Sequence, residues 1–320
     1  MGGLAGCVVG VDLGGTKIYT AAASVDGEIL AEVKIPTEAG GGLEHVLARI
    51  ISTVRQVQKD APAVGKVGAL GIGVPGLMDP FRGIVHQAPN LGWSGVPLKD
   101  LLEARLGVPV YVDNDANLAA LGEHTFGAAR GAEDVVYVTV STGIGGGLIL
   151  KGELYYGAFF GAGEIGHMTV DPEGPPCSCG NRGCLEALAS GTALARQAAE
   201  LVARGEGREI LRAAGGNNIT ARSVSLAAAA GDEAALSLLK EAGRALGIGL
   251  ANIVNLLNPA LIVLGGGVMQ SGPLFWKAME EEMETRVLRA ARRQARVVTA
   301  ALGPRSGLLG AVALAARQIS

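Results

Sequence analysis

Residues 7–30 read CVVGVDLGGTKIYTAAASVDGEIL, and this stretch decides the fold. Residues 7–11 form a short apolar strand, 12–17 a glycine turn and 18–25 a second strand. Asp26-Gly27 is a hairpin turn, and 28–35 alternates as a third strand. A glycine turn after a strand usually suggests a dinucleotide fold, which needs a helix after the glycines. Here a strand follows, so the chain opens as a β-meander.

The pattern returns at residues 135–155, VVYVTVSTGIGGGLILKGELY: strand, glycine turn, strand, a Lys151-Gly152 hairpin and a further strand. The match is in pattern and not in identity, and it reads as an internal duplication with two related domains facing each other. Between the copies, Leu43, Val46, Leu47, Ile50, Ile51, Val54 and Val57 recur at helical spacing. Residues 67–74 read as a buried strand ending at Pro75-Gly76. Residues 108–112 read as another, running through Asp113-Asn114-Asp115 into a helix from 116 to about 123. Later helices are expected at about 192–204, 222–230, 233–257 and 273–292, with a strand at 261–264 before Gly265-Gly266-Gly267 and a surface loop at 215–218. A last helix at about 307–319 is expected to pack back on the first domain. The expected division is a small lobe, 1–115, joined by the C-terminal helix of about 305–320, and a large lobe, 116–304, that contains the cysteine-rich loop.

Lys plus Arg number 27 and Asp plus Glu 30, a net charge of -3, which argues against a generic nucleic-acid or anionic-membrane binder. Hydrophobic residues are 49% and charged residues 18%, so the chain is not disordered. Glycine, 50 of 320 residues without a Gly-X-Y period, signals tight turns and close backbone approaches instead of collagen. Mean hydropathy is +0.34, but the longest apolar stretch, 246–269, is broken by Asn252, Asn255, Asn258 and Pro259, and reads as a buried helix and strand instead of a membrane span. The N-terminus shows no basic segment before its first apolar run, so no secretory signal is expected. That reading implies a reducing cytoplasm, where disulfides are disfavoured.

Two glycine turns at equivalent places in a repeated unit suit a nucleoside triphosphate, because glycine lets backbone N–H groups approach phosphate oxygens. Two ordinary hairpins are the alternative. The candidate contacts are Asp12, Gly14, Gly15, Thr16 and Lys17 in the first turn and Thr142, Gly143 and Gly145 in the second. Asp12 is suited to hold Mg2+ through water. No G-x-x-x-x-G-K-[ST] and no H-R-D or D-F-G set is present, so neither a P-loop protein nor a protein kinase is expected. Of Asp113 and Asp115, at the strand-to-helix junction, one is expected to cap the helix. The other is expected to accept a proton from a substrate hydroxyl that attacks a phosphoryl group.

Cys177, Cys179 and Cys184 lie within eight residues, and His167 lies ten residues before Cys177. Three thiolates and an imidazole make a closed, structural Zn2+ site; a disulfide or buried free thiols are the alternatives. Gly180 and Gly183 let the loop wrap the ion. Such a loop would also fix Glu164 and Glu186, which suit sugar hydroxyls or are plain surface charge. Cys7 reads as core, and His45, His86 and His124 as solvated or structural.

The motifs 10–17, 112–117, 141–147, 163–167 and 177–186 together resemble the ROK family (repressors, open reading frames, kinases), and among its members the bacterial sugar kinases. The resemblance spans essentially the whole chain. It implies an α/β, actin-like ATPase (ribonuclease H-like) duplicated two-domain fold with a cleft between the lobes, and ATP-dependent phosphorylation of a hexose, glucose first, at its 6-hydroxyl. Carried over, Asp115 would be the catalytic base. Asn114, Asp115, Glu164, His167 and Glu186 would bind the sugar, His167 using one ring nitrogen for zinc and the other for a hydroxyl. Asn90 lies in a segment, 90–93, that resembles the family's substrate loop. Gly265 and Gly266 lie in one that resembles its adenosine-binding turn. The hexose stays open among glucose, mannose, N-acetylmannosamine, fructose and allose, and polyphosphate stays open as donor. The family's repressors carry a helix-turn-helix before the first phosphate motif, whereas nine residues precede Gly10 here, so no nucleic-acid partner is expected. An intact Asp115 argues against a non-catalytic sugar sensor. A cytoplasmic homo-oligomer, dimer or tetramer, is the remaining expectation.

Overall fold

The computed structural model describes residues 6–61, 67–216, 218–291, 294 and 296–319. By internal contacts the chain divides into two compact units. The first comprises Met1–Tyr137, Gly147–Gly163 and Ala300–Ser320, and the second Val138–Gly146 and Glu164–Thr299.

The opening meander is β1 (Cys7–Leu13), β2 (Lys17–Ser24) and β3 (Ile29–Pro36), followed by α1 (Gly42–Asp60) and β4 (Val67–Val74). A small antiparallel sheet follows, made of β5 (Leu77–Asp79), β6 (Ile84–Ala88) and β7 (Trp93–Val96). Then come α2 (Leu98–Leu106), β8 (Val110–Asn114) and α3 (Asp115–Phe126). The second repeat is β9 (Val135–Val140), β10 (Ile144–Leu150) and β11 (Glu153–Leu154). It leads to α4 (Leu185–Ala189), α5 (Gly191–Ala203), α6 (Arg208–Ala213), α7 (Ala221–Ala229) and α8 (Glu233–Leu257), and the chain closes with β12 (Leu261–Gly265), α9 (Pro273–Arg286), β13 (Arg296–Thr299) and α10 (Ser306–Ala316). The first five-stranded sheet has the order β3-β2-β1-β4-β8 and the second β11-β10-β9-β12-β13. The same third-second-first-fourth-fifth order in both sheets makes the duplication topological.

In the first unit, β1, β4 and β8 run parallel and are almost wholly buried, so their sequences are near-continuous apolar runs. Successive side chains of β1 face opposite ways. Val9, Val11 and Leu13 join the core under α1, while Val8 joins Val312, Ala315 and Ala316 of α10. Glycines let α10 lie flat on its other neighbours. A Cβ on Gly71 of β4 would strike the Ala311 carbonyl, one on Gly310 the Leu118 carbonyl, and one on Gly122 of α3 the Ser306 carbonyl. The C-terminal helix therefore packs in the first unit, and it brings α3 and residues 147–163 into that unit with it.

In the second unit α8 carries Gly243 and Gly247, which admit the backbone of α9 at Phe275 and Met279. The periodicity predicts α9 to 292, but it ends at Arg286. Asn255 of α8 takes over there: its Nδ2 donates to the Arg286 carbonyl (3.1 Å) and its Oδ1 accepts from Leu288 N–H (3.1 Å). Those bonds satisfy the helix end from outside it. Of the expected 215–218 loop, Asn217 lies outside the described residues. Among the described residues no helix is long and apolar enough to cross a membrane.

Alanine ordinarily stabilises a helix interior relative to glycine by about 1 kcal/mol. At Gly310 the sign inverts, because the added methyl meets the Leu118 carbonyl. Gly310→Ala is expected to destabilise the protein by about 2–3 kcal/mol, measured by chemical denaturation.

Candidate active site

In the first unit the turn after β1 is closed by Gly14 N–H donating to the Lys17 carbonyl (2.8 Å). Thr37 braces it, its Oγ1 donating to the Gly14 carbonyl (2.6 Å) and its N–H to the Thr16 carbonyl (3.0 Å). Gly15 faces Asn90: a Cβ at Gly15 would stand 3.1 Å from the Cβ of Asn90. The first glycine turn and the 89–91 loop thus lie together. Asp12 pairs with Lys17 (Oδ2 to Nζ, 3.3 Å). Gly307, in the first turn of α10, abuts both candidate acids; a Cβ there would be 3.3 Å from Asp12 Oδ1 and 3.9 Å from the Asp115 carbonyl. The structure therefore gathers Asp12, Gly14, Gly15, Thr16, Lys17, Asn90, Asn114 and Asp115 in one unit.

The cap of α3 is neither aspartate. Asn114 is extended, and its Oδ1 accepts from Ala116 N–H (2.8 Å) and Asn117 N–H (3.2 Å), while its Nδ2 donates to the Gly76 carbonyl (3.1 Å). Asp115 is already the first helical residue, with Oδ1 accepting from Ala116 N–H (2.9 Å). Strand alternation turns Asp113 inward, where it is 1% exposed. Its Oδ1 accepts from Asn114 N–H (2.7 Å) and Asn117 Nδ2 (3.1 Å), and its Oδ2 from the Tyr156 hydroxyl (2.7 Å). Burial pushes the Asp113 carboxyl up to about 6, against the pull of those three donors. Burial first, and then the Asp113 charge, likewise raises Tyr156 above the ordinary phenol range.

In the second unit, Ser141 N–H donates to the Gly143 carbonyl (2.8 Å) and closes the second turn. Ser190 caps α5 through its Oγ, which accepts from Ala193 N–H (3.1 Å). The start of α5 grips the turn: Gly191 N–H donates to the Ser141 carbonyl (2.7 Å), and Thr192 donates to the Thr142 carbonyl from N–H (3.1 Å) and Oγ1 (2.8 Å). Glu186 Oε2 accepts from Ile144 N–H (2.8 Å). A pocket of about 780 Å³ opens beside the turn, lined by Thr142, Thr192, Arg222, Ser225, Gln270 and Ser271 among others. That volume suits a nucleotide-sized ligand. The N-terminal residues of both α5 and α7 also line it, Arg222 among them. Gly267 lines the pocket. Gly265 is buried at the end of β12, Gly266 packs on the Val140 backbone, and Gly145 lies within β10.

The cysteine loop closes as a donor cage. His167 Nδ1 lies 3.7 Å from Cys177 Sγ, Cys179 Sγ lies 3.7 Å from Cys184 Sγ, and the four donor atoms all fall within 4.8 Å of one another. A tetrahedron with Zn–S bonds of about 2.3 Å has edges of about 3.8 Å. A disulfide needs about 2.05 Å. The set fits structural zinc. Gly180 and Gly183 adopt φ of 91° and 63°, left-handed values that let the loop wrap. Burial first, and then the neighbouring sulfurs, push the Cys184 thiol up to about 12. Using Nδ1 toward the cage leaves His167 Nε2 on the other side, 4.0 Å from Glu164 Oε2.

Thr192, Arg222, Ser225, Ser271 and Tyr156 were not singled out from the sequence. Ser190-Gly191-Thr192, a capping residue at the start of a helical run, carried a legible signal for the first of them. The others come from loops and faces that tertiary packing brings together.

The ROK family model matches residues 8–318. A glucokinase of Halalkalibacterium halodurans is 39% identical over 305 residues, covering 94% of this chain and 92% of the relative. A putative xylose repressor of Caldicellulosiruptor sp. is 36% identical over 310 residues, covering 97% of this chain and 78% of the relative. The crystal structure of a ROK family glucokinase from Streptomyces griseus in complex with glucose and AMPPNP matches with a TM-score of 0.84 at 38% identity, covering 98% of this chain and 100% of that one. The fold is thus the duplicated, actin-like ATPase α/β architecture expected from the motifs.

Elemental analysis is expected to find one zinc per chain, and Cys179→Ala is expected to lose it. Asp113 gives a pH signature. A carboxyl raised from 3.8 to about 6 in the folded state favours its protonated form there by about 3 kcal/mol. The native state then holds a proton that the unfolded state has released, so this stabilisation is complete below about pH 4 and lost as pH rises through 6. Asp113→Asn removes the effect. Its stability relative to the parent is expected to improve by up to about 3 kcal/mol between pH 4 and 7, measured by denaturation across that range.

Proposed function

The chain belongs to the ROK family, and on that premise we propose that it is an ATP-dependent glucokinase, transferring the γ-phosphoryl group of ATP to the 6-hydroxyl of glucose. The observation that carries the reading is Asp115, a carboxylate at the first position of α3, adjoining the same glycine of α10 as Asp12 and capped into place by Asn114. A carboxylate so placed can take the proton of a sugar hydroxyl as well as bind it. The glucokinases among its relatives support the same assignment.

Asp115 accepts the hydrogen bond of the 6-hydroxyl and orients its oxygen toward the γ-phosphorus. As the O–P bond forms, the bond to the β-phosphate oxygen breaks, ADP leaves, and the hydroxyl proton passes to Asp115 and then to solvent. Such a base mainly positions the nucleophile. Asn90, Asn114, Glu164, His167 Nε2 and Glu186 bind the remaining sugar hydroxyls. The nucleotide base takes the pocket beside α7, and the backbone of the two glycine turns, with Lys17, holds the phosphates. Asp12 would hold magnesium through water, and the ion would compensate triphosphate charge. His167, Cys177, Cys179 and Cys184 would hold zinc, which would keep their loop rigid. The reading places the enzyme in the cytoplasm, as a homo-oligomer.

A coupled ADP-release assay with magnesium, ATP and a hexose panel tests it. Glucose is expected to give the highest kcat/KM. Asp115→Asn is expected to lower kcat about 10³-fold with little change in KM for glucose. A different preferred hexose would move the substrate alone. No turnover with ATP or polyphosphate, by zinc-replete protein, would overturn the kinase reading in favour of a sugar-binding regulator.

A further inference from the structure

Every peptide of the second glycine turn is fixed from one short segment, 184–192. The Ser141 carbonyl is held by Gly191 N–H and the Thr142 carbonyl by Thr192. In a trans peptide the N–H opposes its carbonyl, so the N–H groups of Thr142 and Gly143 are directed away from α5. The next peptide is fixed at both ends: the Gly143 carbonyl accepts from Ser141 N–H, and Ile144 N–H donates to Glu186 Oε2 (2.8 Å). Gly143 is required by that last bond, because a Cβ there would collide with the Glu186 carboxylate. Glu186 itself sits in the first turn of α4, two residues after Cys184, which is both the N-terminal residue flanking that helix and one of the four candidate zinc donors.

We infer that Glu186 is a positioning residue for the nucleotide: one carboxylate oxygen holds the phosphate turn in its binding shape, and through α4 the zinc loop sets nucleotide affinity as well as the sugar site. This rests on the kinase reading above and extends it, since a sugar ligand need not touch the turn at all. A carboxylate on a backbone N–H is a charge-assisted bond, stronger than its neutral equivalent. Its loss leaves the 143–144 peptide held at its carbonyl end alone, and the entropy of ordering the other end then counts against nucleotide binding.

The test is calorimetric titration of the full chain with Mg2+ and AMPPNP in the absence of any sugar, so that the proposed sugar contact of Glu186 is silent. Glu186→Ala is expected to weaken nucleotide binding about tenfold while zinc content by elemental analysis stays at the parental value. Glu186→Gln keeps an oxygen for Ile144 N–H and is expected to bind within about twofold of the parent. Gly143→Ala displaces the carboxylate from the turn without removing it and is expected to weaken nucleotide binding as Glu186→Ala does. Chelation of zinc from the parent is expected to weaken it too, and to add little to Glu186→Ala. Parental affinity in Glu186→Ala, or a Glu186→Gln variant as weak as Glu186→Ala, would overturn the inference alone. A parent that binds no nucleotide would overturn the kinase reading and the inference with it.

Discussion

The first unit is organised by a near-contact of backbones. The C-terminal helix comes close to the backbones of β1, β4 and α3 at the points where Gly10, Gly71, Gly122 and Gly310 stand, and side chains such as Val8 and Leu118 pack around those points. Close approach gains dispersion contacts over a long face. It also fixes position: a helix seated on backbone has little freedom to slide or rotate. That rigidity brings Gly307 against Asp12, near the end of β1, and Asp115, at the start of α3, which belong to different motifs. The glycine content is thus in large part a packing device.

A buried carboxylate completes the arrangement. Glu123, on α3 and wholly inaccessible, accepts from Ala128 N–H (2.9 Å), Ala301 N–H (3.0 Å), Leu302 N–H (2.9 Å) and the Ser306 hydroxyl (2.8 Å). Four donors satisfy both oxygens, which is the condition for tolerating such a charge inside. The returning chain is pinned at the start of α10, so the helix that bears the candidate base and the helix that closes the unit are registered by the same side chain.

Local patterns made much of this legible in the sequence. The two meanders show as alternation around glycine turns, the clustered His and Cys side chains as close spacing, and α5, α7 and α8 as helical segments. What was not legible is set by distant partners. The end of α9 depends on Asn255 of another helix. Tyr156 reaches Asp113 across 43 residues, and Glu186 reaches Ile144 across 42. The strands of the 77–96 sheet are too short for a period to show, and α6, at Arg208–Ala213, is too short as well. Asn114 took the capping role that the spacing offered equally to its neighbours, because it is the residue that is still extended when the helix begins.

The duplicated turns are not chemically equal. Aligned on their first glycines, Asp12-Leu13-Gly14 of the first copy matches Ser141-Thr142-Gly143 of the second. One copy therefore carries its carboxylate within the turn, paired with Lys17. The other is neutral there and takes a carboxylate from outside, from Glu186, on its backbone. Duplication thus preserved the strand order and the turn but not its charge: one copy meets its surroundings with a carboxylate of its own, and the other with hydroxyls and a borrowed acid, so each turn has been specialised separately within its own unit.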